Sequence, residues 1–350
     1  KNENFIKGKK NDIKKAVKII NNSSKVVIIA GGGIKYTGKF NEVLKLAELL
    51  NIPIVTAAGH GDAIPFNHKL NAGQMGPRGN PVASKLTKEA EVIIAIGTRL
   101  GFNSTFYNYD NLNKKAQIIQ IELERKMLGR YFPIAVGICG DAATVTKQIY
   151  NEARNQKIIL ETGIWTKKYL KEKSIYLNAR DNNSNINKFP IHPLGLFKQL
   201  RSVLPKNSAI TLDAGTLCLQ ATDALEYYNP PSLFTPLDFG LVGFSFACGL
   251  GVKVAKPNKT VVSLMGDGGF GMTISELSTA VDYGINTSSP PFEKIAELYG
   301  AKGFKVKKIS EINEAVKAAI NCKKPSVIDV AVDPKALYSF RRDSFKHKVK

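Results

Sequence analysis

Acidic residues are scarce in this chain: 29 Asp and Glu stand against 50 Lys and Arg, a formal net charge of +21. Such an excess raises the question of nucleic acid. The lysines, however, are spread along the chain, and no helix-turn-helix or aromatic-basic recognition motif accompanies them. No nucleic-acid partner is therefore expected, and attraction of anionic substrates and cofactors is the simpler use of the charge. Cysteine is sparse as well. Cys139, Cys218, Cys248 and Cys322 are scattered with no Cys-x-x-Cys pair, which argues against a zinc ribbon or a disulfide scaffold and fits small apolar side chains in a reducing compartment. No apolar run approaches bilayer length, and the Lys- and Asn-rich start has no apolar centre of a signal peptide, so a cytoplasmic protein without a membrane partner is expected. Nor does a Gly-x-Ser-x-Gly elbow accompany His60, His68 and His192. That argues against a serine-hydrolase triad and for structural roles, and of the three histidines only His60 lies in a turn of functional interest.

What the chain has is a recurring pattern of short apolar runs that end in glycine. Its 350 residues and 43% hydrophobic content suit two domains with ample core. Asn11 to Asn21 places Ile13, Val17 and Ile20 on one helical face. Lys25 to Gly33 reads as a buried strand and a glycine turn, Asn41 to Asn51 as a crossover helix, and Pro53 to Thr56 as the next strand. Two further buried strands are read at Ala90 to Gly97 and Ala116 to Ile121. This alternation predicts an α/β protein with two doubly wound parallel-sheet domains. The first is expected over residues 1–155. Residues 156–190, with a long surface helix around Trp165 to Leu177 and a polar run from Asp181 to Asn187, read as a linker. A second domain follows over 191–335, opening with a helix at His192, and a basic tail over 336–350.

The most informative stretch is Val261 to Phe270, an apolar run ending in Gly266-Asp267-Gly268-Gly269. It reads as a buried strand and a sharp turn leading into a helix, with Ile274, Leu277 and Val281 at helical spacing. Glycines there let backbone N–H groups approach an anion, and the helix start adds its positive dipole end. Asp267 adds a hard carboxylate oxygen, which suits Mg²⁺ bridging to a phosphate. The site reads as metal plus diphosphate.

Gly266-Asp267-Gly268 followed by Glu276 to Ala280 resembles the thiamin-diphosphate signature of the acetolactate synthase, pyruvate oxidase and benzoylformate decarboxylase family. The resemblance covers nearly the whole chain and implies the middle and C-terminal domains of that family. It places the cofactor at Gly215, Thr216 and Leu217, at Gly240, Leu241 and Val242, and at Gly266, Asp267, Gly268 and Gly269, with Asp267 as the Mg²⁺ ligand. Val242 aligns with the apolar residue that bends the cofactor in the family, and Leu241 is adjacent. Thr56 to Gly61, Gly73 to Gly79 and Gly97 to Leu100 resemble the segments that wrap FAD in some members. Gly31, Gly32, Gly33, Gly59, His60 and Arg99 would then face the flavin nucleotide. Many relatives keep this architecture without flavin, so FAD stays open.

The resemblance implies decarboxylation and carboligation of pyruvate or a related 2-oxo acid in a homodimer or homotetramer, and it allows a regulatory subunit. Alternatives are a non-ligating 2-oxo acid decarboxylase, a sulfoacetaldehyde acetyltransferase-like enzyme and, from another class, a non-catalytic nucleotide- or partner-binding protein on the same fold. The family's activating glutamate sits on an N-terminal domain that nothing before Lys25 resembles, so no catalytic residue is named and the chain alone is not expected to turn over. The family's signature also closes with an Asn-Asn pair, the first Asn being a second metal ligand. Here the text passes from Asn286 straight to Thr287 and resumes its likeness at Phe292. Either a strand and a ligand are deleted, or Asn286 and Thr287 are not neighbours in the native chain; the second is expected.

Overall fold

The computed structural model describes residues 6–183, 189–273 and 291–333. They divide into two compact units, one formed by the chain up to Tyr176 with Tyr227–Leu233, the other by Leu177–Glu226 and the chain from Phe234 on. Tyr227–Leu233, assigned with the second domain by sequence, thus groups with the first unit. The helix expected after the glycine turn begins inside it, at Asp267. Ile274, Leu277 and Val281, and the junction of Asn286 with Thr287, lie outside the described residues. Among those described, no helix is long and apolar enough to cross a membrane.

The first unit holds helix α1 (Lys10–Asn21), strand β1 (Val26–Ala30), helices α2 (Gly32–Thr37) and α3 (Asn41–Leu50), and strands β2 (Ile54–Thr56) and β3 (Asn71–Gln74). It continues through α4 (Pro81–Glu89), β4 (Val92–Ile96), α5 (Phe102–Thr105), β5 (Gln117–Glu122), β6 (Val136–Cys139) and α6 (Ala142–Asn155). The six strands form one parallel sheet in the order β3-β2-β1-β4-β5-β6. Helices cover both faces, so consecutive residues of a strand enter different cores. Val26, Ile28 and Ala30 join Val92, Ile94 and Ile96 on one side, whereas Val27, Ile29, Ile93 and Ala95 pack on the other. That is why these strands are apolar at every position. Trp165 belongs to the second core, its ring edge-on to Tyr169 with centroids 5.4 Å apart.

Helix α7 (Gly163–Asn183) continues the chain into the second unit. There follow α8 (Pro193–Val203), β7 (Ala209–Leu212), α9 (Thr216–Ala224), the two-residue β8 (Leu233–Phe234) at the division of the units, α10 (Phe244–Ala255), β9 (Val261–Leu264) and α11 (Asp267–Thr273). After them come α12 (Phe292–Leu298), β10 (Lys302–Val306), α13 (Ile312–Asn321) and β11 (Ser326–Val330). β8, β7 and β9 form a three-stranded sheet in that order, and β10 pairs in parallel with β11. β9, expected to be a buried strand, is a strand but only half-buried throughout. It lies at the edge of its sheet, with one partner strand among the described residues. Helix α10 comes close to β7 and β9, since a Cβ at Gly249 would lie 2.1 Å from Ser263 Oγ. Thr211 Oγ1 fills that contact by donating to the Ser245 carbonyl at 2.9 Å.

Candidate cofactor-binding site

β7 and β9 are parallel and in register, Leu212 opposite Leu264, so both strands end at one level. The ladder runs one bond further, with Asp213 N–H donating to Leu264 O at 3.1 Å. Each strand then turns into a helix. Gly215, at φ 156°, precedes α9, and Gly266 precedes α11, whose Phe270 N–H bonds back to Gly266 O at 3.0 Å. A third segment arrives as the loop from Pro236, where the N–H groups of Phe239 and Gly240 donate to Pro236 O at 2.9 and 2.7 Å. Gly243, at φ 86°, ends that loop and begins α10.

Asp213 holds the three segments together. It is 2% exposed; Oδ1 accepts the N–H of Ala214 at 2.7 Å, and Oδ2 accepts that of Gly243 at 3.0 Å. A Cβ at Gly269 would lie 2.3 Å from the same Oδ2, so glycine is required there. Asp213 is not among the site residues that the sequence pointed to. An acidic residue closing an apolar run directly before a glycine turn was the available signal.

Around this post the backbone is open. Among the described residues, a Cβ at Gly215, Gly240, Gly266 or Gly268 would meet no atom within 4 Å. Gly215 and Thr216 are exposed and Leu217 half-buried at the start of α9, Asp267 is exposed in the first turn of α11, and Leu241 and Val242 are exposed beside Gly243. Strand ends that turn into helix N-termini with uncovered glycine backbone suit an anionic group such as a diphosphate. For a metal ion the set is thinner. Among the described residues no group of three His, Cys, Asp or Glu is arranged to hold one; Asp267 in α11 and Asp238 in the loop from Pro236 are exposed, while Asp213 is engaged by backbone.

The residues considered for FAD present the opposite picture. They flank β1 and β4, where the strand order reverses and where such sheets bind nucleotides. Yet Gly31 N–H donates to Ile96 O at 3.0 Å and Gly33 N–H to Gly97 O at 2.9 Å, so both groups are used by the fold. A Cβ at Gly31 would lie 2.5 Å from Gly97 O, and one at Gly33 would lie 2.7 Å from Gly97 Cα. Over Gly32 sits His60, whose Cε1 would be 2.9 Å from a Cβ there. Gly59 donates its N–H to Gln74 Oε1 at 3.1 Å, and Arg99 is exposed. The structure thus brings Gly31, Gly32, Gly33 and His60 together by packing them.

Comparison with known proteins bears on both units. Residues 13–149 match the family described as thiamine pyrophosphate enzyme, central domain, and residues 213–288 and 286–330 match its C-terminal TPP binding domain. The chain belongs to the thiamin-pyrophosphate enzyme family. It is 31% identical over 378 residues to a probable acetolactate synthase large subunit of Methanococcus aeolicus, covering 95% of this chain and 62% of the relative. It is 30% identical over 377 residues to a sulfoacetaldehyde acetyltransferase of Castellaniella defragrans, covering 93% of this chain and 63% of that one. A probable acetolactate synthase large subunit of Methanocaldococcus jannaschii is 30% identical over 359 residues, with 92% and 60% covered. This thiamin-pyrophosphate enzyme chain therefore spans somewhat under two thirds of the length of these relatives. The first alignment is longer than the chain itself, so that relative carries internal residues with no counterpart here. The match to the C-terminal domain comes in two stretches that meet at 286–288.

Proposed function

We propose that this chain is the cofactor-holding part of a thiamin-diphosphate-dependent enzyme that decarboxylates pyruvate or a related 2-oxo acid and passes the remaining carbons to an acceptor. The observation that carries the reading is the meeting of three glycine-bearing segments at Asp213, with uncovered backbone at Gly215, Gly240, Gly266 and Gly268. When bound, thiamin diphosphate supplies the electron sink that decarboxylation of a 2-oxo acid needs. The chain's own residues bind and orient. Gly215 with Thr216 and Leu217, and Gly266 with Gly268 and Gly269, would hold the diphosphate; Asp267 would hold Mg²⁺; Gly240, Leu241 and Val242 would present an apolar wall that excludes water. FAD has no part in the proposal, because the N–H groups of Gly31 and Gly33 donate to Ile96 O and Gly97 O at the end of β4. A homo-oligomer is part of it, supported by the apolar side chains exposed in the second unit at Phe239, Leu241, Val242, Met272 and Leu298.

The named relatives include an acetyltransferase for sulfoacetaldehyde beside acetolactate synthases at almost the same identity, and sulfoacetaldehyde is therefore the second substrate reading. Binding is the direct test. Calorimetric titration of thiamin diphosphate with Mg²⁺ into the protein should show saturable uptake, and Asp267→Ala should weaken it by roughly a hundredfold, the scale of losing a metal-bridged anion contact. The same substitution should leave thermal stability within about 0.5 kcal/mol, as expected at an exposed position. Unchanged affinity in the variant would remove Asp267 from the site. Exchange spectra with pyruvate and with sulfoacetaldehyde, recorded on the loaded protein, then separate the two substrate readings by which compound perturbs the bound cofactor.

A further inference from the structure

Within the second unit, the contact between α10 and the strands beneath it is made of hydroxyls. Thr211 in β7 and Ser263 in β9 are register partners, so their side chains stand next to each other on one face of the sheet. Onto them α10 brings Ser245 and Gly249, one helical turn apart and the two residues of that helix buried among the described residues. Gly249 makes the approach possible, since a Cβ there would lie 2.1 Å from Ser263 Oγ and 3.3 Å from Thr211 Oγ1. Ser245 uses it. Its Oγ donates to Thr211 O at 2.9 Å, and its own carbonyl accepts the Thr211 hydroxyl at 2.9 Å, so each residue offers its side chain to the other's backbone. The lone pairs of Thr211 Oγ1 are left for the hydroxyl of Ser263, also 2.9 Å away. Thr211 and Ser245 are fully buried.

A helix seated in this way has one rotation and one height. Apolar side chains attract without direction and tolerate a small slide or roll, whereas a hydrogen bond weakens steeply once donor and acceptor leave line. Misplacement would also leave buried polar groups without partners, which raises its cost. The same face of β7 supplies a second hold two residues further on, where Asp213 takes the Gly243 N–H at 3.0 Å. α10 is thus fixed at its cap and again within its first turn. Directly before that cap come Gly240, Leu241 and Val242. Their place relative to Gly215, after β7, and to Gly266, after β9, is therefore set by how α10 sits on those two strands.

We propose that Thr211 and Ser245 are positioning residues for the glycine turns of this site: their reciprocal hydrogen bonds fix the rotation and height of α10, and with them where Leu241 and Val242 stand. That the turns hold thiamin diphosphate rests on the functional reading above; the seating of α10 does not. Thr211→Val and Ser245→Ala each remove one hydroxyl of the pair, the first at nearly constant volume. Thr211→Ser does the reverse, giving up a methyl and keeping the hydroxyl. Ser208→Ala removes a buried hydroxyl bonded to Pro205 O just before β7, and serves as the control for general destabilisation of the same unit.

Hydrogen exchange should speed up by roughly tenfold or more at Gly243 and at 247–249, the first bonded N–H groups of α10, in Thr211→Val and in Ser245→Ala. It should remain as in the parent in Thr211→Ser and Ser208→Ala. Affinity for thiamin diphosphate with Mg²⁺, read by calorimetry, should fall by roughly tenfold in the first two variants and in neither of the others. Unchanged exchange in Thr211→Val and Ser245→Ala overturns the seating, and so does equal acceleration in Thr211→Ser, which would make volume rather than the hydroxyl decisive. Faster exchange with unchanged affinity overturns the link to the site. Should the parent take up no thiamin diphosphate, the functional reading fails and exchange alone decides the seating. Should Thr211→Val fail to fold, Ser245→Ala decides.

Discussion

Two glycine turns in this chain look alike in sequence and serve opposite ends. Gly31-Gly32-Gly33 follows β1, Gly266-Asp267-Gly268-Gly269 follows β9, and each leads from the C-terminal end of a parallel strand into a helix. In the first, the missing side chains let backbone lie on backbone: a Cβ at Gly97 would fall 2.6 Å from Gly33 Cα. In the second, a Cβ at Gly266 or Gly268 would meet none of the described residues, whereas Gly269 is closely packed against Asp213. Glycine after a strand therefore says that something approaches the backbone; it does not say whether that is the protein or a ligand. The neighbours decide, and they are hundreds of atoms away in sequence.

The largest effects should come from the packed turn. Gly97→Ala adds a Cβ at φ 60° that also meets the backbone of Gly33. Left-handed strain and overpacking together should cost about 4 kcal/mol, read as a lowered first-unit transition in urea unfolding. Gly266→Ala, whose φ is not positive and whose Cβ would meet nothing, should change stability by less than about 1 kcal/mol. It should still weaken thiamin-diphosphate binding measured by calorimetry, because the added methyl occupies the open side. Equal destabilisation by the two substitutions would erase the distinction between a packed turn and a vacant one.

The strands that lead into the turns differ in the same sense. Ile94 in β4 is fully buried in one core of the first unit, whereas Val262 in β9 is half-buried at a sheet edge. Ile94→Ala should cost about 3 kcal/mol and Val262→Ala about 1 kcal/mol, since the second site already sees solvent and leaves little cavity. The two units need separate transitions to be resolved for this comparison, which a calorimetric scan provides. A cost at Val262 as large as that at Ile94 would mean that β9 is covered in solution by something other than the described residues.

Burial explains what was legible in the sequence. The centre of the first sheet was readable because β1 and β4, Val26–Ala30 and Val92–Ile96, are apolar at every position, which only a strand covered on both faces requires. β3, with Asn71 and Gln74, carries no such run, and its place at the sheet edge was not readable. In the second unit the resemblance located Gly215, Gly240, Gly266 and Asp267, which local chemistry marks. Asp213 was not found, because its role depends on Gly243 and Gly269, residues that only the fold brings to it. The pairing of Thr211 with Ser245 was invisible for the same reason: the two stand 34 positions apart, and only the fold joins them.

The smallest expected effect compares two helix starts with the same design. α4 opens with Asn80-Pro81 and α8 with His192-Pro193; in each the first side chain accepts a backbone N–H from two residues on, at 2.8 Å for Asn80 and 3.2 Å for His192. Only the second cap titrates near neutrality. Burial lowers the pKa of His192 from its ordinary 6.5, opposed by the charge of Asp333. The folded pKa is thus below the unfolded one, so the unfolded chain binds a proton first, and stability that is whole above pH 6.5 declines as pH falls toward the folded value. The structure agrees with that sign, since Nδ1 must be unprotonated to accept the N–H of Leu194. Losing a cap costs about 0.5–2 kcal/mol, and the low end applies to a partly exposed histidine. Thermal unfolding of the second unit at pH 7.5 and at pH 5.5 should therefore show a small loss that His192→Asn, an equally good cap without a proton to gain, removes. A variant that keeps the full pH slope of the parent would place the sensitive group elsewhere and leave the two caps equivalent.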